Sequence, residues 1–304
     1  MSIPFSKIGL GTVEIGLPYG IGVKDLPTEQ EAERILRSAV EMGVTYIDTA
    51  RGYGVAEERI GKSGIGKMPG VIVGTKCGQF LKNEPDLHGG ELEKRIREDI
   101  DMSRQMLQQE QLQLVQLHNE LPDYTDFREL VEILQKIKDE GKVMHVGVST
   151  RGEAAALAAY GTDFFETSQL AYSILDQRMA KAVLPLAQEK DIAIINRSVL
   201  LKGALTPAAE KLPDQLALLK DNARRAGAIA GGLGIDLPAL AIRFAASNPA
   251  IATVLIGTIE PQHLETALAA VQSGPLPPDV LTQLYDLGID DPSQVDPAKW
   301  PPLS

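Results

Sequence analysis

A chain of 304 residues, 44% hydrophobic and 23% charged, has enough apolar material for two average domains or one large α/β barrel, and its composition excludes a disordered polymer. With 30 Lys and Arg against 41 Asp and Glu the net charge is −11, and the only adjacent arginines, Arg224 and Arg225, fall in a predicted helix. No basic face is available to grip nucleic acid, and an anionic cofactor would have to be held by local donors against the overall charge.

Taken in order, Ile8 to Thr12 reads as a short first strand ending in a glycine-rich turn. Thr28, with Glu31 three residues on, is a capping box for a helix whose apolar stripe is Ile35, Leu36, Ala39 and Val40, stopped by Gly43. Val44 to Asp48 is the second strand, rich in β-branched and aromatic residues. A short helix at 55–63, a third strand from Val71 to Lys76 and a helix at 91–107 follow. Gln113 to His118 is the fourth strand, 126–140 its helix, Val143 to Ser149 the fifth strand and 152–159 an alanine-rich helix. Phe164 to Gln169 and Ile192 to Arg197 are strands six and seven, separated by a helix at 179–190. Beyond a loop with Pro207 and Pro213, helices are predicted near 214–231 and 237–247. The eighth strand is Ala252 to Ile256, with helices at 261–272 and 278–287 and a proline-rich tail from about 289.

Eight strand–helix alternations in one run, with no composition shift to mark a linker, predict a parallel sheet closed into a single-domain (β/α)8 TIM barrel. The competing architecture is an open doubly wound sheet, but no strand is followed by Gly-x-Gly-x-x-Gly. Gly61-Lys62-Ser63 imitates the end of a phosphate loop, yet the required earlier glycine is Ala56. A lone cysteine, Cys77, leaves no intramolecular disulfide framework, and Met1 to Lys7 holds no apolar leader-like run. The most apolar stretch, around 241–256, is broken by Arg243, Asn248 and Pro249. The expectation is a cytoplasmic protein that does not span a membrane. Cys77 and the four histidines show no ligand spacing, so no metal site is expected.

In a barrel of this kind the active site forms where the C-terminal ends of the strands meet. Asp48, Lys76 and His118 end strands two, three and four, and Tyr53 sits five residues past Asp48 between Gly52 and Gly54. Each has an ordinary structural explanation alone: a turn former, a solvated lysine, a packed histidine, a wet phenol. Together they make a proton donor. A phenol ionises near pH ~10, too high for efficient acid catalysis near neutrality, and a neighbouring ammonium oriented by a carboxylate corrects that. A histidine at the same mouth can hydrogen-bond and orient a carbonyl oxygen.

These pieces resemble the aldo/keto reductase family. The resemblance is carried by Gly9-Leu-Gly-Thr12, Asp48-Thr-Ala-Arg-Gly-Tyr53-Gly54, Gly74-Thr-Lys76, Leu117-His118, Val146-Gly-Val-Ser149, Ser168-Gln169 and Asn196-Arg-Ser-Val-Leu-Leu-Lys-Gly203, in the family's order over about residues 7 to 270. It implies a catalytic tetrad of Asp48, Tyr53, Lys76 and His118, and a nicotinamide cofactor, NADP(H) with NAD(H) not excluded, extended across the barrel mouth. Thr12 and Asp48 would border it, Ser149 and Gln169 would meet the carboxamide, and Ser198, Leu200, Lys202 and Gly203 would wrap the pyrophosphate. Gly257, Thr258 and His263 would hold the adenosine end, where helix N-terminal amides suit phosphate.

Four departures shape the expectation. Ser149 is followed by Thr150 where the family often has Asn, and Arg197 replaces an aromatic ring that stacks on the nicotinamide. A guanidinium plane can stack in the same way. The adenosine-end pattern of Arg followed by Glu-Asn appears as His263 with Thr266-Ala267, so NADP is expected to bind better than NAD by a margin smaller than an arginine would give. An N-terminal hairpin across the barrel floor is short or absent. The expected activity is reversible reduction of a small-molecule aldehyde or ketone to an alcohol. Two alternatives stand beside it: an NAD-dependent sugar dehydrogenase using the same residues oxidatively, and a non-catalytic cofactor-sensing subunit, which the complete tetrad disfavours. Trp300, in the tail, either drapes over the substrate mouth or anchors the tail outside the barrel.

Overall fold

The structure is a computed structural model that describes residues 3–19, 25–119, 121 and 123–301. Eight parallel strands close on themselves in sequence order: β1 (Ile8–Gly11), β2 (Tyr46–Asp48), β3 (Ile72–Cys77), β4 (Leu112–His118), β5 (Val143–Ser149), β6 (Thr167–Ala171), β7 (Ala193–Arg197) and β8 (Ile251–Gly257). Helices alternate with them: α1 (Glu29–Glu41), α2 (Ala56–Ser63), α3 (Gly89–Leu107), α4 (Arg128–Asp139), α5 (Glu153–Tyr160), α6 (Val183–Glu189), then α7 (Ala217–Gly232) and α8 (Leu237–Ser247) before β8, and α9 (Pro261–Gln272), α10 (Pro278–Tyr285) and α11 (Pro292–Val295) after it. The closed (β/α)8 barrel is the architecture the alternation predicts. No described helix is by itself long and apolar enough to cross a membrane.

Local chemistry fixes the elements. The Thr28 hydroxyl accepts from the Glu31 amide at 3.2 Å while the Glu31 carboxylate accepts from the Thr28 amide at 2.8 Å, and Ala32, Ile35, Leu36 and Ala39 bury the inner face of α1. Outward-facing strand residues pack under the helices, forming the main core. Inward-facing ones form a second cluster of Tyr46, Leu114, Ile195 and Leu255, with Phe5 and Ile72 against it.

Several predicted boundaries move by one to four residues, two of them for a visible reason. β6 begins at Thr167 rather than Phe164, because Phe164 and Phe165 join an aromatic cluster with Phe127 beneath the helix layer. α6 begins at Val183 rather than 179, since Pro185 needs a place in the first helical turn, where its missing N–H costs nothing. Among the described residues no strand precedes β1. Instead the Phe5 ring meets Tyr46 edge to face at 4.7 Å and closes the barrel floor.

The tail packs outside the barrel wall at one point and reaches its mouth at another. The Trp300 indole N–H donates to the Gln294 carbonyl at 2.8 Å, and the Gln294 amide donates to the Gln215 carbonyl at 3.0 Å. Trp300 is therefore an anchor. Asp296, between them, pairs with Arg151 at 2.7 Å beside the end of β5.

Candidate active site

Strand alternation carries alternate side chains of β2 and β3 into the barrel. Asp48 ends β2 and Lys76 lies one residue before the end of β3; their side chains are 3% and 0% exposed, and Lys76 Nζ donates to Asp48 Oδ2 at 2.7 Å and to the Thr49 carbonyl at 2.8 Å. The other carboxylate oxygen, Oδ1, accepts from the Tyr46 hydroxyl at 3.0 Å and the Gln169 amide at 2.6 Å. Burial alone would lower the pKa of Lys76, but the Asp48 carboxylate, and Tyr53 after it, outweigh burial and raise it. The ammonium is thus secured in its charged form.

Tyr53 comes to this ammonium from the loop after β2, and Lys76 Nζ lies 5.0 Å from its ring centroid. The loop is interlocked with the one after β1. A side chain at Gly16 would place its Cβ 1.8 Å from the Tyr53 carbonyl oxygen, and one at Gly54, whose φ is +55°, would reach the Gly16 carbonyl at 2.3 Å. Buried Glu57 on α2 ties the same loop down, pairing with Arg51 and accepting from Thr75 Oγ1 at 2.6 Å.

His118 is the last residue of β4 and half-buried, in register with Ser149 of β5, itself in register with Gln169 of β6. Gln116, two residues earlier, touches Tyr46 inside the barrel, so alternation turns His118 to the same interior face at the mouth. Asp48, Tyr53 and Lys76 form one contacting group, and His118 stands on the neighbouring strand end.

The predicted cofactor residues lie around this mouth in differing settings. Thr12 is fully buried and donates to the Asp48 carbonyl at 2.8 Å, which ties β1 to β2. Arg197 projects from the end of β7 with Nη2 on the Thr150 carbonyl at 3.2 Å and Nη1 on Ser198 Oγ at 3.4 Å. Burial, and then the charge of Arg151, lower its pKa, although a guanidinium remains charged in any working range. No carboxylate among the described residues lies within ion-pair distance of it, whereas Arg151 has Asp296 and Arg178 has Asp176 at 2.8 Å. The segment after β7 is unusual: Ser198, Leu201 and Lys202 have φ of +62°, +46° and +51°, and Gly203 has +93°; Leu200 caps its short 3-10 turn. Left-handed conformations cost non-glycine residues about 1–3 kcal/mol each and concentrate at ligand clamps. At the far side, Gly257 ends β8, and Thr258 Oγ1 accepts from the Glu260 amide at 3.0 Å and holds exposed His263 by Nδ1 at 2.8 Å.

Sequence reasoning passed over Tyr46 and Gln116, and the charged rim of Arg151, Asp176, Arg178 and Asp296. Tyr46 had a readable signal: two residues before Asp48 on one strand, it must share the carboxylate's face. The rim had none, because Arg151 and Asp296 meet only after folding.

Comparison with known proteins places the chain in a family. The profile of the aldo/keto reductase family matches residues 7–288. Aldo-keto reductase YhdN of Bacillus subtilis is 32% identical over a stretch covering 67% of this chain and 61% of that protein, a little under two thirds of its length. L-galactose dehydrogenase of Arabidopsis thaliana is 27% identical, covering 94% and 87%. The fold is shared with aldo-keto reductase AKR11C1 from Bacillus halodurans in its holo form, with a TM-score of 0.76 at 24% identity over 94% and 93% of the two chains. Profile and sequence identity show the family, and the barrel fits it: the chain belongs to the aldo/keto reductase family, oxidoreductases that act on carbonyl or alcohol groups and use nicotinamide cofactors.

Proposed function

We propose that this protein is a nicotinamide-dependent enzyme that reversibly reduces a small aldehyde or ketone to an alcohol, with Tyr53 as the general acid. The observation that carries the reading is the buried Asp48–Lys76 pair facing the Tyr53 ring. Tyr53 supplies the proton to the carbonyl oxygen as the carbonyl carbon is reduced, and takes it back in the reverse direction. Lys76 stabilises the negative charge left on the phenol oxygen, Asp48 fixes Lys76, and His118 orients the substrate oxygen by a hydrogen bond.

The residues present suit a nicotinamide cofactor, which when bound supplies or accepts the hydride. Among the described residues Thr150 Oγ1 is buried without a hydrogen-bond partner and Arg197 has no carboxylate within ion-pair distance, and Ser198, Leu201, Lys202 and Gly203 have left-handed backbone. Local donors of that kind hold an anionic group despite the net charge of −11. Ser149 and Gln169 would hold the carboxamide, Arg197 the nicotinamide face, Ser198, Leu200, Lys202 and Gly203 the pyrophosphate, and Gly257, Thr258 and His263 the adenosine end; Thr12 acts on the site through Asp48. NADP(H) is the favoured cofactor, with NAD(H) also admitted. Leu17, Tyr19 and Val55 expose apolar surface on the loops around Tyr53, which offers apolar contact to a small substrate. The single cysteine, Cys77, is buried with its thiol pushed up by burial and takes no part in this chemistry; a cytoplasmic setting is part of the proposal.

The similarity to a sugar dehydrogenase along 94% of the chain supports a second reading, oxidation of a sugar with NAD by the same residues. A panel of small carbonyls with NADPH and NADH, and of sugars with NADP and NAD, separates the two by direction and substrate. In whichever assay responds, Tyr53→Phe is expected to lower the chemical rate by ~10²–10⁴-fold without altering cofactor affinity. A variant retaining more than about a third of the rate where chemistry limits would remove Tyr53 from the mechanism.

A further inference from the structure

Below the Asp48–Lys76 pair the barrel is filled by a second tyrosine. Tyr46 is fully buried, and its ring occupies space that only glycines leave open: a Cβ at Gly9 would lie 2.9 Å from its Cδ1, and one at Gly74 would lie 2.5 Å from its hydroxyl. Phe5 supports the ring from the floor. A phenylalanine would fill the same volume without a polar atom to bury, and an unbonded buried hydroxyl is costly. The hydroxyl has one strong engagement, donation to Asp48 Oδ1 at 3.0 Å. Gln116 Nε2 approaches the phenol oxygen from its other side at 3.3 Å, which directs the hydroxyl proton at the carboxylate. Burial, and then the Asp48 charge, push the Tyr46 phenol well up, so it remains a donor.

We infer that Tyr46 is a positioning residue for the reaction: with Gln169, and with Gln116 Nε2 at the longer distance of 3.4 Å, it holds Asp48 Oδ1, turning Oδ2 and its charge onto Lys76. A carboxylate free to rotate offers either oxygen to the ammonium. Here neutral donors occupy one oxygen and the ammonium the other, at 2.7 Å. The orientation passes from Tyr46 through Asp48 and Lys76 to Tyr53, and Tyr46 needs no contact with the substrate. The inference rests on the reading of Tyr53 as the acid.

The test is a double-mutant cycle on the hydride-transfer rate constant, measured in single turnover with saturating cofactor and carbonyl. Rate constants from a single turnover report only folded, loaded molecules, so a reduced yield of Tyr46→Phe would lower the amplitude and not the rate. Tyr46→Phe is expected to slow transfer about 10-fold in the otherwise unchanged protein, the size of a lost hydrogen bond to a charged group, and less than about twofold in the Tyr53→Phe background. Cofactor affinity should not change. Equal losses in both backgrounds would show a general packing effect and overturn the inference, as would an unchanged rate in the single variant. If Tyr53→Phe alone leaves the rate intact, the acid assignment falls first and this inference with it.

Discussion

Lys76 Nζ and Asp48 Oδ2 are 2.7 Å apart, with 0% and 3% of their side chains exposed. An ion pair so deep in the barrel is vulnerable at either end. Removing one partner leaves an uncompensated buried charge at a cost of about 3–5 kcal/mol, whereas removing both costs much less. Lys76→Met is therefore expected to lower unfolding stability by about that amount. Adding Asp48→Asn should recover most of it, although neither variant should turn over. Urea unfolding of both proteins checks this; a double variant no more stable than Lys76→Met would show that the pair does not behave as a buried charge couple.

Arg197 offers its face as well as its edge. If its plane lies on the nicotinamide, Arg197→Lys keeps the charge and loses the plane. We expect cofactor binding to weaken by about 3- to 30-fold, the span of a partly desolvated cation–π contact of ~0.5–2 kcal/mol. Calorimetric titration of the oxidised and reduced cofactors measures it. Wild-type affinity in the lysine variant would leave charge alone as the contribution.

His263 stands exposed at the start of α9, its Nδ1 taken by Thr258. The remaining ring nitrogen is the one available to a 2′-phosphate. His263→Ala should reduce NADP affinity toward that of NAD, and His263→Arg should raise it, with NAD affinity nearly constant in all three proteins. An unchanged ratio of the two affinities in the alanine variant would rule the side chain out as the phosphate reader.

At the opposite end of the barrel, Glu166 accepts from Lys138 at 2.7 Å, His145 Nδ1 at 2.6 Å and the Val146 amide at 3.2 Å, linking α4, β5 and β6. Burial would raise its carboxyl pKa, but Lys138 and then His145 and the amide more than offset that and lower it below the ordinary 4.5. A depressed folded-state pKa contributes stability above the unfolded value and loses it as pH falls through the folded one. Glu166→Gln should therefore cost stability at pH 7 and flatten its decline below about pH 4.5. Thermal midpoints of both proteins between pH 7 and pH 3 give the comparison; parallel curves would deny Glu166 a part in acid unfolding.

What could be read from the amino-acid order was whatever repeats or alternates. The capping box at Thr28, the stripe on α1 and the strand ends at Asp48 and His118 are local patterns, and each sits in the fold as those patterns demand; Lys76 falls one residue short of its strand end. Tyr46 shared that pattern but was masked by its type, because an aromatic residue in an apolar strand reads as packing. The start of β6 was displaced by partners distant in sequence, Phe127 among them. The meeting of Arg151 with Asp296, 145 residues apart, has no local signature at all.

That last contact has a thermodynamic consequence. Val295, Asp296 and Pro297 line the same cavity as Thr150, Arg197 and Ser198, so any opening of the tail would expose the rim. Tail opening and ligand occupancy at the rim are then linked equilibria, each shifting the other by the same free energy. A ligand that needs the closed rim should slow hydrogen exchange of amides between Pro292 and Trp300. Conversely, loosening the tail by Asp296→Asn should weaken apparent affinity at a distance, through the fraction of molecules that remain closed.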